Sequence, residues 1–213
     1  SQAGDGLGAA GEITGLATTA PGTTGSFDGF TLTLSRNSAG NISQQRFETR
    51  ITGVGAGDNT GQYGLSDTNI ATTAGTEYHY VLTFQSGVGN FASTGGRASW
   101  YRNGTLIASL DTSFRLHQVQ DVNNWLGRSL WSADRNTHAA YNEVRVYNHA
   151  MTPTEINASF ASGPNPAFPL SDIAHRWSFG NTAGSAPTGT PVPDLVGNAT
   201  ATIRGNGATF NGS

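Results

Sequence analysis

The first regular pattern along this chain is an alternation of apolar and polar residues with a period of two. In FDGFTLTLSRN, Phe30, Leu32 and Leu34 alternate with Thr31, Thr33 and Ser35, the mark of a strand that buries one face. QQRFETRITGV repeats it with Phe47, Thr49 and Ile51, and EYHYVLTFQ with Tyr78, Tyr80, Leu82 and Phe84. RASWYRNGTLIASL predicts a hairpin, because Asn103-Gly104 supplies both positive-φ positions of a type I′ turn between strands 97–102 and 105–110. NNWLGRSLW, AAYNEVRVYN and IAHRWSF predict further strands, with shorter ones in NATATIRG and ATFNGS. Residues 1–25 are rich in Gly, Ala and Thr, with Ile13 and Leu16 as their one apolar pair in EITGL, and predict loop and edge strand.

A helix is predicted once, in MTPTEINASF. Thr152 caps it, Pro153 takes the first helical position and Glu155 completes a T-x-x-E capping box. Gly163 ends it. Pro164, Pro166 and Pro169 then make 164–170 a stiff, extended linker to residues 171–213. Many short strands with turn signals between them predict an all-β fold, a two-sheet antiparallel sandwich with one short helix.

Composition narrows the function. Charged residues are 12% of the 213, the formal net charge is −3, and every basic residue apart from His is Arg. A balance so small and dispersed gives no basic stripe for nucleic acid, and no apolar run is long enough to span a membrane. With no Cys and no Lys there are no disulfides, thiolate nucleophiles, P-loop lysines or Schiff bases. Low charge with abundant Thr and Asn suits a secreted protein, and Ser1 suits a mature terminus left by cleavage.

The run NNWLGRSLWSADRNTHAAYNEVRVYNHAMTPTEINASF is similar to the closing signature of laminin-G-like domains in the concanavalin A-like lectin/glucanase superfamily. YVLTFQ and WYRNGTLIAS resemble that family's central strands, and AHRWSF with DLVGNATATIRGNGATFNG resembles its opening. The resemblance implies a jelly roll whose first-strand segment stands last: moving 171–213 ahead of 1–163 restores the family order. Three arrangements meet this order. The segment closes on its own body as a circular permutation, it begins a second module, or it fills the groove of a neighbouring copy. In each, 1–163 is a sandwich lacking its first strands, and Ile173, Trp177 and Phe179 need a partner, each worth about 1.5–3 kcal/mol when buried. The leading expectation is donation to the next subunit, which makes the chain its own partner in a filament. Ile173, His175, Trp177 and Phe179 are the expected interface, beside the YNEVRVYN strand, with Trp177 and Phe179 entering the acceptor core. The competing expectation is a carbohydrate-binding or adhesion module.

The resemblance also implies a calcium site at the turn PDLVGNA, formed by Asp194 and Asn198 with Glu143 across from them; the other reading of Asp194 and Asn198 is a capped turn. Trp100, Trp125 and Trp177 lie on apolar strand faces and are expected in the core. Trp131 differs, standing beside Asp134, Arg135, Asn136 and His138. A loop Trp flanked by hydrogen-bonding side chains suits sugar stacking, and a rim or subunit contact is the alternative. Catalysis is not expected: no two acidic residues stand two apart, whereas a retaining glycosidase needs carboxyls about 5–5.5 Å apart. Asn-x-Ser/Thr triplets at Asn41, Asn103, Asn157, Asn198 and Asn211 are candidate glycosylation acceptors.

Overall fold

The computed structural model describes residues 11–17, 29–35, 44–50, 62–67, 70, 72–73, 75–118, 123–128, 137, 139–164 and 172–212. The chain divides into two compact units, residues 1–139 and 140–213. The last strand and helix of the closing signature therefore group with the C-terminal segment.

In the first unit, β1 (Gly11–Ala17), β2 (Gly29–Ser35), β3 (Gln44–Arg50), β4 (Gln62–Asp67) and β8 (Asn123–Leu126) form an antiparallel sheet ordered β4-β3-β2-β1-β8. Register places Leu32 opposite Phe47, and Phe47 opposite Leu65, so the apolar positions of three strands fall in one row. The EITGL segment departs from its expected edge position. As β1 it lies between β2 and β8, pairing Gly15 with Thr31 on one side and with Trp125 on the other.

A second sheet joins β5 (Tyr80–Ser86), β6 (Gly96–Arg102) and β7 (Thr105–Thr112) in sequence order. Asn103 and Gly104 sit at φ 52° and 79°, as the type I′ turn requires. The Asn103 side chain also accepts a hydrogen bond from the His79 amide at 2.9 Å, which ties the turn to the start of β5. One face of this sheet builds the core. Trp100 and Ala98 are fully buried with Ile70, and Tyr80, Leu82, Phe84, Ile107, Ala108 and Leu116 pack against them. Trp125 is half-buried, with the Arg128 guanidinium 4.8 Å from its ring centroid.

The second unit holds β9 (Val144–Tyr147), α1 (Pro153–Ser162) and five short strands: β10 (Ile173–Trp177), β11 (Gly184–Ser185), β12 (Pro191–Val192), β13 (Ala201–Thr202) and β14 (Thr209–Phe210). The predicted capping box forms in full. The Thr152 side chain accepts from the Glu155 amide, and the Glu155 carboxylate accepts from the Thr152 amide at 2.6 Å. Ile156 and Ser159 are the buried residues of α1, and Gly163 closes it at φ 68°. Beyond the linker, β11 pairs with β14 and β12 with β13, two nested ribbons that bury Ala186 and Val192. Among the described residues no helix is long and apolar enough to cross a membrane.

Candidate functional site

The IAHRWSF segment forms β10 and runs antiparallel to β9. Ile173 stands opposite Tyr147, His175 opposite Val146, Arg176 opposite Arg145 and Trp177 opposite Val144. A bulge between Ile173 and His175 absorbs Ala174. An extra residue shifts the alternation by one, so Ile173 and Arg176 share a face with Tyr147 and Arg145. His175 and Trp177 share the other with Val146 and Val144. This corrects the expected burial of Trp177 and Phe179. Ile173 is the buried member, at 5% exposure. Trp177 is half-buried, stacked on His175 at 5.7 Å, and its indole N–H donates to the Ala199 carbonyl at 2.8 Å. Phe179 lies past the strand end at φ 50°, its ring 6.4 Å from that of Tyr141.

Charge locks the seam. The Glu143 side chain, 5% exposed, accepts from Arg145 at 2.8 and 2.6 Å and also from Nε of Arg176. Arg145 reaches on to the Ser159 hydroxyl at 3.2 Å and the Gly163 carbonyl at 3.3 Å, fastening the end of α1 to β9. Burial works against the Arg145 charge, but Glu143 and Tyr147 together outweigh it and raise the guanidinium pKa above its ordinary value. The Glu143 carboxylate thus joins β9 to β10, and Arg145 extends the link to α1.

Asp194 closes the outer edge of β10. Its Oδ1 accepts from the amides of Arg176, Val196 and Gly197 at 2.9, 3.1 and 3.0 Å. Its Oδ2 accepts from the Ala199 amide at 3.1 Å and pairs with His175 Nδ1 at 2.6 Å. The Arg176 carbonyl in turn accepts from the Leu195 amide at 2.8 Å. Arg176 therefore directs both backbone groups away from β9 and into this turn. Gly197 is required by close approach, since a Cβ there would lie 2.5 Å from His175 Nδ1 and 2.7 Å from the Ala174 carbonyl oxygen.

The proposed calcium ligands do not fit a cation. Both Asp194 oxygens already face N–H donors, Glu143 is enclosed by two guanidinium groups, and Asn198 is exposed with its side chain bonded to neither. A calcium ion needs six to eight oxygen ligands turned toward one point, and the described residues hold no cluster of three or more acidic, His or Cys side chains suited to a metal. The turn-cap reading of Asp194 replaces the calcium reading. Excess EDTA is expected to leave the thermal midpoint within about 1 °C of its starting value, because the Asp194 and Glu143 oxygens are already taken by N–H donors and guanidinium groups. A drop of several degrees, reversed by calcium, would contradict this.

Acid should act on the same carboxylate. Burial raises the Asp194 pKa, but the Arg176 amide, the His175 imidazole and the Val196 and Gly197 amides reverse this and hold it well below the ordinary 3.8. A native pKa below the unfolded one gives stabilisation that is complete above the unfolded value and lost as pH falls from there toward the native value. Amide protection at Arg176, Val196 and Gly197 should therefore persist from neutral pH to about pH 4 and decline only in stronger acid. Decline already near pH 6 would show that the carboxylate does not hold the turn.

The remaining sequence-predicted residues divide simply. Trp131, Asp134, Arg135 and Asn136 lie outside the described residues. Arg145, Arg176 and the His175–Asp194 pair were not anticipated as a unit. The signal was present in Glu143 and Arg145, two positions apart on one side of an extended segment, and in the D-x-x-G spacing of Asp194 and Gly197, which suits a capped turn.

The family model Laminin_G_3, described as the concanavalin A-like lectin/glucanases superfamily, matches residues 11–157, most of the chain. No curated protein and no solved structure matches it.

Proposed function

Because the chain belongs to the concanavalin A-like lectin/glucanase superfamily, an all-β jelly-roll family, we propose that it is a non-enzymatic extracellular structural module that assembles by exchanging residues 171–213 between copies. The observation that carries this reading is the β9–β10 seam. Its strand pairing, its Glu143–Arg145–Arg176 contacts and the burial of Ile173 join a complete β9–α1 body to a segment that follows a proline-rich linker. Each of these contacts is equally available between the β9 of one copy and the β10 of another.

Linker stiffness favours exchange over closure. Both linker ends meet β9: the Gly163 carbonyl accepts from the Arg145 side chain, and the Asp172 carbonyl accepts from the Asn148 amide at 3.1 Å. Arg145 and Asn148 are about 10 Å apart along an extended strand. The eight residues between Gly163 and Asp172 include Pro164, Pro166 and Pro169 and would span about 25 Å in the extended form that proline favours. Closure onto the same β9 must bend this segment back, whereas exchange lets it extend. Closure keeps the advantage of a roughly millimolar effective concentration, so assembly should depend steeply on subunit concentration.

Head-to-tail exchange between identical copies is a non-closing contact and generates fibres. The expected result at high subunit concentration is fibres by electron microscopy and fast-sedimenting species in the ultracentrifuge, in place of the 22.1 kDa monomer. Ile173→Asp should leave subunits unassembled, since a desolvated carboxylate would replace a buried side chain. A wild-type chain that stays monomeric over a wide concentration range would refute exchange.

The family match favours a second reading, a carbohydrate-binding or adhesion module. Trp131 with Asp134, Arg135 and Asn136 remains its candidate sugar-stacking group, and a glycan array with wild type and Trp131→Ala separates the two readings.

A further inference from the structure

We infer that Asn198 is an N-glycosylation acceptor that receives an oligosaccharide from a lipid-linked donor; the inference rests on the extracellular destination proposed above. Of the five Asn-x-Ser/Thr triplets, the one at Asn41 and the closing Ser213 of the one at Asn211 lie outside the described residues. Asn103 is committed to the hairpin turn, its side-chain oxygen accepting from the His79 amide at 2.9 Å and its backbone amide donating to the His79 carbonyl at 2.8 Å. Asn157 lies within α1 and donates its side-chain amide to the Pro153 carbonyl at 3.0 Å. Its triplet partner Ser159 is 3% exposed and bonded to Arg145. A glycan must project into solvent from its asparagine: Asn103 is part-buried and held in the turn, and Asn157, although exposed, has a triplet hydroxyl that is buried and bonded to Arg145.

Asn198 has a different setting. It is exposed, Thr200 of its triplet is exposed, and both lie in the loop between β12 and β13. Among the described residues no hydrogen-bond partner engages its side-chain amide. The residues around it are fixed: the Gly197 and Ala199 amides donate to Asp194, and the Ala199 carbonyl accepts from the Trp177 indole. The indole N–H edge of Trp177 therefore meets residue 199, which puts a half-buried aromatic ring, stacked on His175 by one face, beside the acceptor, a neighbour of the kind on which the apolar face of a first sugar packs. The loop also covers the outer edge of β10, where Arg176 spends its amide and carbonyl on Asp194 and Leu195. A glycan there shields the edge opposite β9 and leaves the seam open to its strand partner.

In the transfer, Nδ2 of Asn198 forms a bond to C1 of the first sugar while the bond from C1 to the lipid phosphate oxygen breaks. The lipid phosphate leaves with that electron pair, and the amide gives up one proton to the transferase. The test is expression of the full chain behind a secretory leader in a host with N-glycan transfer, followed by enzymatic glycan release in heavy-oxygen water, which marks each occupied Asn as heavy Asp. We expect the mark at Asn198, unmarked Asn103 and Asn157, and loss of one glycan mass in both Asn198→Gln and Thr200→Ala. An unmarked Asn198 beside a glycosylated co-secreted reporter overturns the inference, as do glycans on Asn103 or Asn157 in its place. Occupancy is read on monomer and polymer alike, so its failure leaves the assembly reading standing and failed assembly leaves occupancy readable.

Discussion

Replacing Glu143 by Gln is expected to open the β9–β10 seam. Glu143 is 5% exposed and faces Arg145 and Arg176, whose side chains are 10% and 16% exposed. Removing its charge leaves two guanidinium groups close together in a poorly solvated site, a change that costs about 3–5 kcal/mol when one member of a buried pair is lost. Hydrogen exchange over residues 172–177 reads this locally. At 1.4 kcal/mol per tenfold, protection should fall by roughly a hundredfold or more. Replacing Glu143, Arg145 and Arg176 together by Leu, Met and Met should recover most of it, because charge burial is then removed along with the pair. Protection that changes less than about threefold in Glu143→Gln would show that strand pairing alone holds β10.

Trp100→Ala is the second large effect, and it falls on the first unit. The indole is fully buried and packs with Ile70, Ala98, Leu82 and Phe84. Truncation of a core Trp costs about 3–5 kcal/mol through lost transfer energy and the cavity left behind. In a chain of this length that corresponds to a thermal midpoint lower by about 10 °C. Leu106, 51% exposed on β7, provides the contrast: Leu106→Ala should stay within about 0.5 kcal/mol of wild type. Equal effects of the two substitutions would contradict the assignment of this core.

Local chemistry was the legible part of the sequence. Asn103-Gly104 specifies its turn because few other pairs accept two positive φ values, and Thr152, Pro153 and Glu155 specify a helix start because each satisfies a group that the first turn leaves open. Both features appear in the structure as read. Position within a sheet was less legible. EITGL looks like an edge because its apolar content is low, yet β1 is flanked by β2 and β8, a matter of long-range pairing that no local pattern encodes. Ala174 carries no mark of the bulge that brings Ile173 to the Arg176 face, so the buried position could not be assigned from alternation. Asp194 was ambiguous for a chemical reason: carboxylates that bind calcium and carboxylates that cap turns share the same Asp-Gly spacing, and only the five N–H donors around it separate the two.

The central claim, exchange of the C-terminal segment between copies, is tested most directly by a covalent trap across the seam. The chain has no cysteine, and Val146 and His175 are directly paired in the β9–β10 register. Opposed residues in antiparallel strands have Cα atoms about 4.5–5.5 Å apart, inside the 4.4–6.8 Å range that a disulfide spans. The double substitution Val146→Cys/His175→Cys, oxidised at assembly concentration and run without reductant on a denaturing gel, reports which copy supplies β10. Exchange predicts a ladder of covalent multimers that collapses to one band on reduction. A single monomer band, compacted by an internal disulfide at every concentration, would mean that each chain closes on itself.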